Sequence, residues 1–243
     1  MKYGRIQTPD GDVTEARFED GSASADGSSW PIEDVRILPP VEPGKLIYVG
    51  MNYTDHAAEL GVALPEEPLL FFKPPSAIVG PGDAIVHPKD STRLDYEGEL
   101  ALVIGRRCRA VRPDDAFDVI GGYTIANDVT ARDWQRHDTQ WTKAKAWDTF
   151  APLGPWVVTD IDATDLTVRT LLNGEVRQES STAELHFDIP ELVAFASRLM
   201  TLEPGDIIAT GTPVGIGAMA PGDVVEVQIE GIGSLHNHVI EEG

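Results

Sequence analysis

Three carboxylates stand at the margins of apolar runs. The segment Leu94-Asp95-Tyr96-Glu97-Gly98-Glu99-Leu100-Ala101-Leu102-Val103-Ile104 reads as a strand buried on both faces. Its period of two puts Glu97 and Glu99 on one face, continued by Ala101 and Val103, while Leu100, Leu102 and Ile104 fill the other. Two like charges entering such a strand are costly unless something neutralises them. An isolated pair of this kind more often sits at a solvated strand end beside arginines, here Arg93 or Arg106. A second acidic element shifts the balance: the strand-like run Gly121-Gly122-Tyr123-Thr124-Ile125-Ala126-Asn127 ends on Asp128 and leads into Val129-Thr130-Ala131-Arg132-Asp133-Trp134-Gln135. Asp128 alone could cap the helical turn that follows. Glu97, Glu99 and Asp128 together, without paired Cys or His, form an all-oxygen donor set. That set suits Mg²⁺ or Mn²⁺, Ca²⁺ less well, and Zn²⁺ not at all. Downstream, Trp141-Thr142-Lys143-Ala144-Lys145-Ala146-Trp147-Asp148 places two lysines among aromatics. They read as snorkelling surface groups, or one of them as a cation that steadies an anionic substrate or oxyanion beside a metal.

The elements that must position these groups are mainly strands. Lys45–Val49, Ile78–Val79, Ala84–Val86, Glu97–Ile104, Gly121–Asn127, Pro155–Val158, Leu166–Leu172, Asp206–Thr210 and Val224–Ile229 have strand composition, with Gly, Pro or Asp at their ends. Asn173-Gly174 predicts a tight hairpin between Thr167–Leu172 and Glu175–Gln178. Asp188-Ile189-Pro190-Glu191 opens a helix over Leu192–Met200, with Leu192, Phe195, Ala196 and Leu199 on one face. Shorter helices are expected at Asp55–Leu60 and Asp114–Val119. Residues 1–42 read as a small β unit punctuated by Pro9-Asp10-Gly11, Asp20-Gly21 and Asp26-Gly27, closing at Pro39-Pro40. Residues 43–243 form a second, larger unit that carries the carboxylates. No period of 20–50 residues recurs, so the fold class is mainly β with a few helices (α+β), not a βαβ array.

Composition excludes several functions. The chain of 243 residues carries 19 Lys+Arg against 40 Asp+Glu, a formal net charge of −21. Such a charge repels phosphate backbones and anionic membranes, so neither nucleic acid nor membrane is an expected partner. No apolar stretch approaches the length of a membrane span, and Met1-Lys2-Tyr3-Gly4-Arg5 leads into no apolar core, so no signal peptide is expected. A single cysteine, Cys108, makes no internal bridge and points to a reducing, cytoplasmic setting. Its neighbours Arg107 and Arg109 could lower its pKa, although a passive thiol is the simpler role. Dispersed acidity with six lysines against thirteen arginines resembles a surface adapted to salt.

Several motifs recur in order: Gly50-Met51-Asn52-Tyr53-Thr54-Asp55-His56-Ala57-Ala58-Glu59; Phe72-Lys73-Pro74-Pro75-Ser76-Ala77-Ile78-Val79-Gly80; Asp95-Tyr96-Glu97-Gly98-Glu99-Leu100; Asn127-Asp128-Val129-Thr130-Ala131-Arg132-Asp133; Ala144-Lys145-Ala146-Trp147-Asp148; and Pro204-Gly205-Asp206-Ile207-Ile208-Ala209-Thr210-Gly211-Thr212-Pro213. In this order they resemble the fumarylacetoacetate hydrolase family, in particular its small acylpyruvate hydrolase and 2-hydroxyhepta-2,4-diene-1,7-dioate isomerase members, over roughly residues 44–240. The resemblance implies a mixed β-sandwich roll, usually a homodimer. It implies Glu97, Glu99 and Asp128 as divalent-metal ligands, and Gln135 and Lys145 as contacts to substrate and developing negative charge. Gly211 and Thr212 fall where the family holds a substrate carboxylate, and Arg132 adds local positive charge. His56 and Glu59 match a dyad on a lid; at i and i+3 they are neighbours on a helical turn, a workable general base. Near the C-terminus the family pattern Gly-Ile-Gly-x-Leu-Arg-Asn gives way to Gly231-Ile232-Gly233-Ser234-Leu235-His236-Asn237-His238. His236 and His238 could form an i, i+2 metal pair, although edge-strand histidines are commoner.

The expected chemistry is hydrolysis of an acylpyruvate-like 2-oxo (1,3-diketo) acid through an enolate held by Mg²⁺ or Mn²⁺. Isomerisation of a 2-hydroxy-diene dioate and decarboxylation of oxaloacetate use the same enolate. A non-catalytic metal- or ligand-binding module is the rival from another class.

Overall fold

The computed structural model describes residues 1–61 and 63–243. Its backbone is a large mixed sheet of twelve strands. In spatial order the main path runs Ser28–Pro31, Ser22–Ala25, Val13–Glu19, Lys2–Gln7, Ala151–Val158, Ile120–Asn127, Gly98–Ile104, Ile207–Ala209, Leu46–Gly50 and Leu69–Lys73. A five-stranded sheet follows the order Glu175–Ser181, Thr167–Leu172, Val224–Ile229, Gly233–Glu241, Ala84–His87. A small sheet joins Thr130–Ala131, Leu94–Tyr96 and Gly217–Met219. The mainly β expectation with a few helices is met.

Strand Gly98–Ile104 is central, and all seven residues are buried. Leu100, Leu102 and Ile104 join Ile47, Val49, Tyr123 and Ile125 in one core, against helix Ile189–Leu199 and the five-stranded sheet. Ala101 and Val103 face a second core with Leu46, Phe71 and Leu153. The alternating apolar run thus serves two layers at once, as its pattern requires.

The expected strand over Glu97–Ile104 is interrupted at its start. Leu94–Tyr96 belongs to the small sheet and Gly98–Ile104 to the large one, so Glu97 lies at the crossing between them. Next to it, a Cβ on Gly98 would meet Thr170 Oγ1 at 2.2 Å and Val227 Cγ1 at 2.9 Å. Only glycine lets the large sheet and the five-stranded sheet approach so closely there. Glu97 and Glu99 nevertheless reach the same site, as their spacing of two predicts.

Helix Ile189–Leu199 starts where its cap predicts, with a reciprocal capping box between Asp188 and Glu191. Asn173 and Gly174 both have positive φ, 53° and 81°, the backbone of the expected two-residue hairpin. The short helix expected at Asp114–Val119 is instead two 3₁₀ turns, Pro113–Asp115 and Phe117–Val119. Six residues are too few to offset α-helix nucleation. At the N-terminal end, strand Lys2–Gln7 pairs with Ala151–Val158, and Ile6, Ala16, Phe18 and Ala23 form a small core of their own.

Candidate active site

Backbone geometry brings the three carboxylates together. The Glu97 amide donates to Asn127 Oδ1 at 2.9 Å, and the Asp128 amide to the Glu97 carbonyl at 2.8 Å. The crossing point is thereby tied to the end of strand Ile120–Asn127. Glu99 follows Gly98 in the central strand, and its Oε2 accepts from the Gly211 amide at 2.8 Å. One oxygen from each of Glu97, Glu99 and Asp128 lies within 4.8 Å of the others, and all three residues are buried. Asp128 caps no helix, since the turn Arg132–Gln135 begins after Ala131 without a side-chain cap.

Four cations surround the carboxylates. Lys145 Nζ donates to Glu97 Oε2 at 2.9 Å and to Asp128 Oδ2 at 2.5 Å. Arg132 bridges Glu97 Oε1 and Asp95 Oδ2 and also donates to Gln135 Oε1. Arg93 grips Asp95 from the other side through Nε at 2.8 Å. Lys73 lies 2.6 Å from Asp128 Oδ1, an ion pair whose angles do not make a hydrogen bond, so that oxygen accepts none. Motif spacing alone marks neither Asp95 nor Lys73 as part of this site. A lysine ending an apolar strand, Leu69–Lys73, on the same face as buried Phe71 is the signal that marks it.

These pairings set the protonation of the site. Burial alone would raise the Glu97 carboxyl, but Lys145 and Arg132 outweigh it and hold Glu97 well below the usual range. Glu99 goes the other way. Burial, then repulsion from Asp128 and Glu97, push it well above the carboxylate range, and the Gly211 amide opposes only in part. Lys145 is raised because Asp128 and Glu97 overcome its desolvation. For Lys73 desolvation prevails over Asp128 and brings it down to about 8. A buried carboxylate with one amide partner beside two others is a site built for another cation.

His56 and Glu59 lie on helix Thr54–Leu60. His56 Nδ1 is 3.1 Å from Glu59 Oε2, and Glu59 Oε1 accepts from the Gly215 amide at 3.1 Å. The His56 side chain is only 5% exposed and lines the same cavity as Glu97, Glu99, Asp128, Arg132, Gln135, Lys145 and Thr212. That cavity is narrow, with about 20 Å³ of free space, room for about one water. Val49, Met51, Phe71 and Trp141 form its apolar wall. A roomier groove of about 630 Å³ beside Tyr3 and Arg17 gathers no comparable set of groups. The Thr212 hydroxyl is already engaged, accepting from Gln178 Nε2 at 2.8 Å and donating to the Gly98 carbonyl at 3.0 Å. Gly211 has φ +100°, and a Cβ there would meet Asn52 Cβ at 2.9 Å.

His236 and His238 are exposed on strand Gly233–Glu241 and outside this cavity; His236 faces Glu226 at 3.6 Å. The Cys108 thiol is pushed up by burial, not lowered by its arginine neighbours.

Comparison with known proteins gives the same picture. The sequence profile described as fumarylacetoacetate (FAA) hydrolase C-terminal matches residues 45–240. The solved structure of 5-carboxymethyl-2-hydroxymuconate delta-isomerase from Mycobacterium smegmatis superposes with a TM-score of 0.94 at 49% identity, covering 100% of both chains. Maleylpyruvate hydrolase from Sphingobium sp. SYK-6, solved with manganese(II) ion and pyruvate, superposes at 0.86 with 30% identity, again over 100% of both chains. Mitochondrial oxaloacetate tautomerase FAHD2A from Bos taurus is 44% identical over 223 residues, 86% of this chain and 71% of that protein.

Proposed function

The chain belongs to the fumarylacetoacetate hydrolase family of enzymes, and from that premise we propose that it hydrolyses a carbon–carbon bond in an acylpyruvate-like 2-oxo acid with the help of Mg²⁺ or Mn²⁺. The observation that carries this reading is His56, buried against the same small cavity as the carboxylate triad and backed by Glu59. Isomerisation would use the same base without an attacking water; the room for about one water beside His56 and the triad favours hydrolysis.

Glu97, Glu99 and Asp128 would hold the ion. Their all-oxygen chemistry fits Mg²⁺ or Mn²⁺, and the weakly neutralised Glu99 carboxylate gives the ion a reason to bind. Bound there, the ion supplies Lewis-acid stabilisation of negative charge on a 2-oxo acid. Nδ1 of His56 faces Glu59, so Nε2 is the nitrogen free to take a proton from water. The hydroxide adds to the distal carbonyl, with Lys145 and Gln135 placed to hold the oxyanion. When the carbon–carbon bond breaks, the acyl part leaves as a carboxylate. The electron pair passes to the 2-oxo acid fragment as its enolate, and His56 returns the proton to carbon, giving pyruvate from an acylpyruvate. The apolar wall of Val49, Met51, Phe71 and Trp141 keeps bulk water out. Gly211 shapes the loop beside Glu99, and the Thr212 segment closes the carboxylate end of the pocket.

A homodimer acting in the cytoplasm completes the proposal. No helix of the described residues is long and apolar enough to cross a membrane, and sedimentation would read the oligomeric state. The deciding experiment incubates the protein with an acylpyruvate, a 2-hydroxy-diene dioate and oxaloacetate, with Mn²⁺ and with EDTA, followed by NMR. Cleavage of the acylpyruvate that EDTA abolishes is expected. Isomerisation or tautomerisation without cleavage, or CO₂ release alone, would replace hydrolysis by the corresponding rival.

A further inference from the structure

Each carboxylate of the triad sets one oxygen against a fixed donor or cation, while Glu97 Oε2 and Asp128 Oδ2 take the Lys145 ammonium. Glu97 Oε1 is held by Arg132, Glu99 Oε2 by the Gly211 amide, and Asp128 Oδ1 by Lys73. The first two are a guanidinium already fastened to Asp95 and a backbone amide. The third is unusual. Lys73 is a lysine with a 0% exposed side chain, and a buried ammonium persists only when its protons are all satisfied. Its Nζ donates to the carbonyls of Val129 at 2.9 Å and Phe150 at 2.5 Å, and its remaining partner is Asp128 Oδ1. The rings of Tyr48 and Phe150 lie 5.1 Å and 6.0 Å from the same nitrogen. Two backbone carbonyls therefore fix the ammonium in place, and among the described residues Asp128 Oδ1 has no other partner.

We propose that Lys73 is a positioning residue that keeps Asp128 from binding the divalent ion through both oxygens. A carboxylate can ligate through one oxygen or two. With Oδ1 against a fixed ammonium, Asp128 has Oδ2 left to offer the ion, the oxygen that Lys145 otherwise holds at 2.5 Å. Glu97 and Glu99 are restricted in the same way by Arg132 and the Gly211 amide, so the chain contributes three oxygens to the ion. An octahedral Mg²⁺ or Mn²⁺ then keeps about three positions for a chelating 2-oxo acid and one further ligand. Without Lys73, Asp128 would close over the ion and take one of them. The argument rests on the metal-binding reading given above.

The test counts exchangeable waters on Mn²⁺ bound to the protein, by water-proton relaxation. Wild-type protein should show about three, and Lys73→Met about two, a loss of roughly one third of the inner-sphere relaxation. Mn²⁺ binding by Lys73→Met should be at least as tight as wild type, since a repelling cation has gone and a donor oxygen has been added. A purely structural lysine would instead weaken Mn²⁺ binding and leave the count unchanged; either result overturns the proposal. If Lys73→Met does not fold, the wild-type count decides, and two waters or fewer sink the idea. Wild-type protein that binds no Mn²⁺ at all would overturn the metal-dependent reading together with this one, whereas bound Mn²⁺ with too few waters overturns this one alone.

Discussion

Glu99 is where metal, protons and stability meet. Its carboxyl is pushed well above the usual range by burial and by Asp128 and Glu97, and its one hydrogen-bond donor is the Gly211 amide. Without a divalent ion the folded protein therefore keeps a proton on Glu99 that the unfolded chain gives up near pH 4.3. The native state binds one more proton than the unfolded state above that pH. Stability must then fall as pH rises, until the raised native pKa is passed. One proton corresponds to about 1.4 kcal/mol per pH unit, or roughly 3–6 °C in Tm for a domain of this size. Glu97, held low by Lys145 and Arg132, titrates only at strongly acid pH and does not blur this window. Glu99→Gln removes the titrating proton and leaves a neutral group that can still accept from Gly211. Melting curves in EDTA between pH 5 and 8 should show the wild type losing stability relative to Glu99→Gln by about that slope. Saturating Mn²⁺ should remove the wild-type loss, because the ion stabilises the ionised carboxylate. Parallel pH curves for the two proteins in EDTA would refute the reasoning.

Two further outcomes follow from the same geometry and charge. Glu59→Ala should lower kcat by about 10²- to 10⁴-fold while leaving Mn²⁺ affinity intact, because Glu59 touches His56 and Gly215 and none of the three carboxylates; wild-type hydrolysis by the metal-loaded variant would end the general-base assignment. At a net charge of −21, raising NaCl from about 0.1 M to about 1 M shortens the screening length from about 10 Å to about 3 Å, so the Tm should rise; a Tm indifferent to salt would count against a salt-adapted surface.

Local signals were legible where neighbours in sequence are neighbours in space. The Asn173-Gly174 hairpin, the Asp188–Glu191 capping box and the alternation of Leu100 to Ile104 all depend on residues a few positions apart. What stayed hidden depends on distant partners. The need for glycine at 98 follows from the approach of Thr170 and Val227. The role of Lys73 depends on Asp128, Val129 and Phe150, none of which its own strand announces. Thr212 could be picked out beside Gly211, but the commitment of its hydroxyl to Gly98 and Gln178 could not. The carboxylates themselves were legible because burying three of them in apolar strands makes little sense without a cation.

The same balance explains how so acidic a chain can receive an anion. Asp95, Glu97, Glu99 and Asp128 meet Arg93, Arg132, Lys73 and Lys145, four carboxylates against four cations. With Glu99 ionised the site is therefore near neutral by its own residues, and the surplus negative charge lies elsewhere on the molecule. A divalent ion added to this neutral set gives the pocket two positive charges, with Glu99 ionised. That matches a 2-oxo acid whose carboxylate and developing enolate together carry two negative charges. A chain with fewer buried cations would spend the ion's charge on its own ligands and leave little to hold substrate. Lys73, Lys145 and Arg132 are thus what allows the triad to bind the ion without cancelling it.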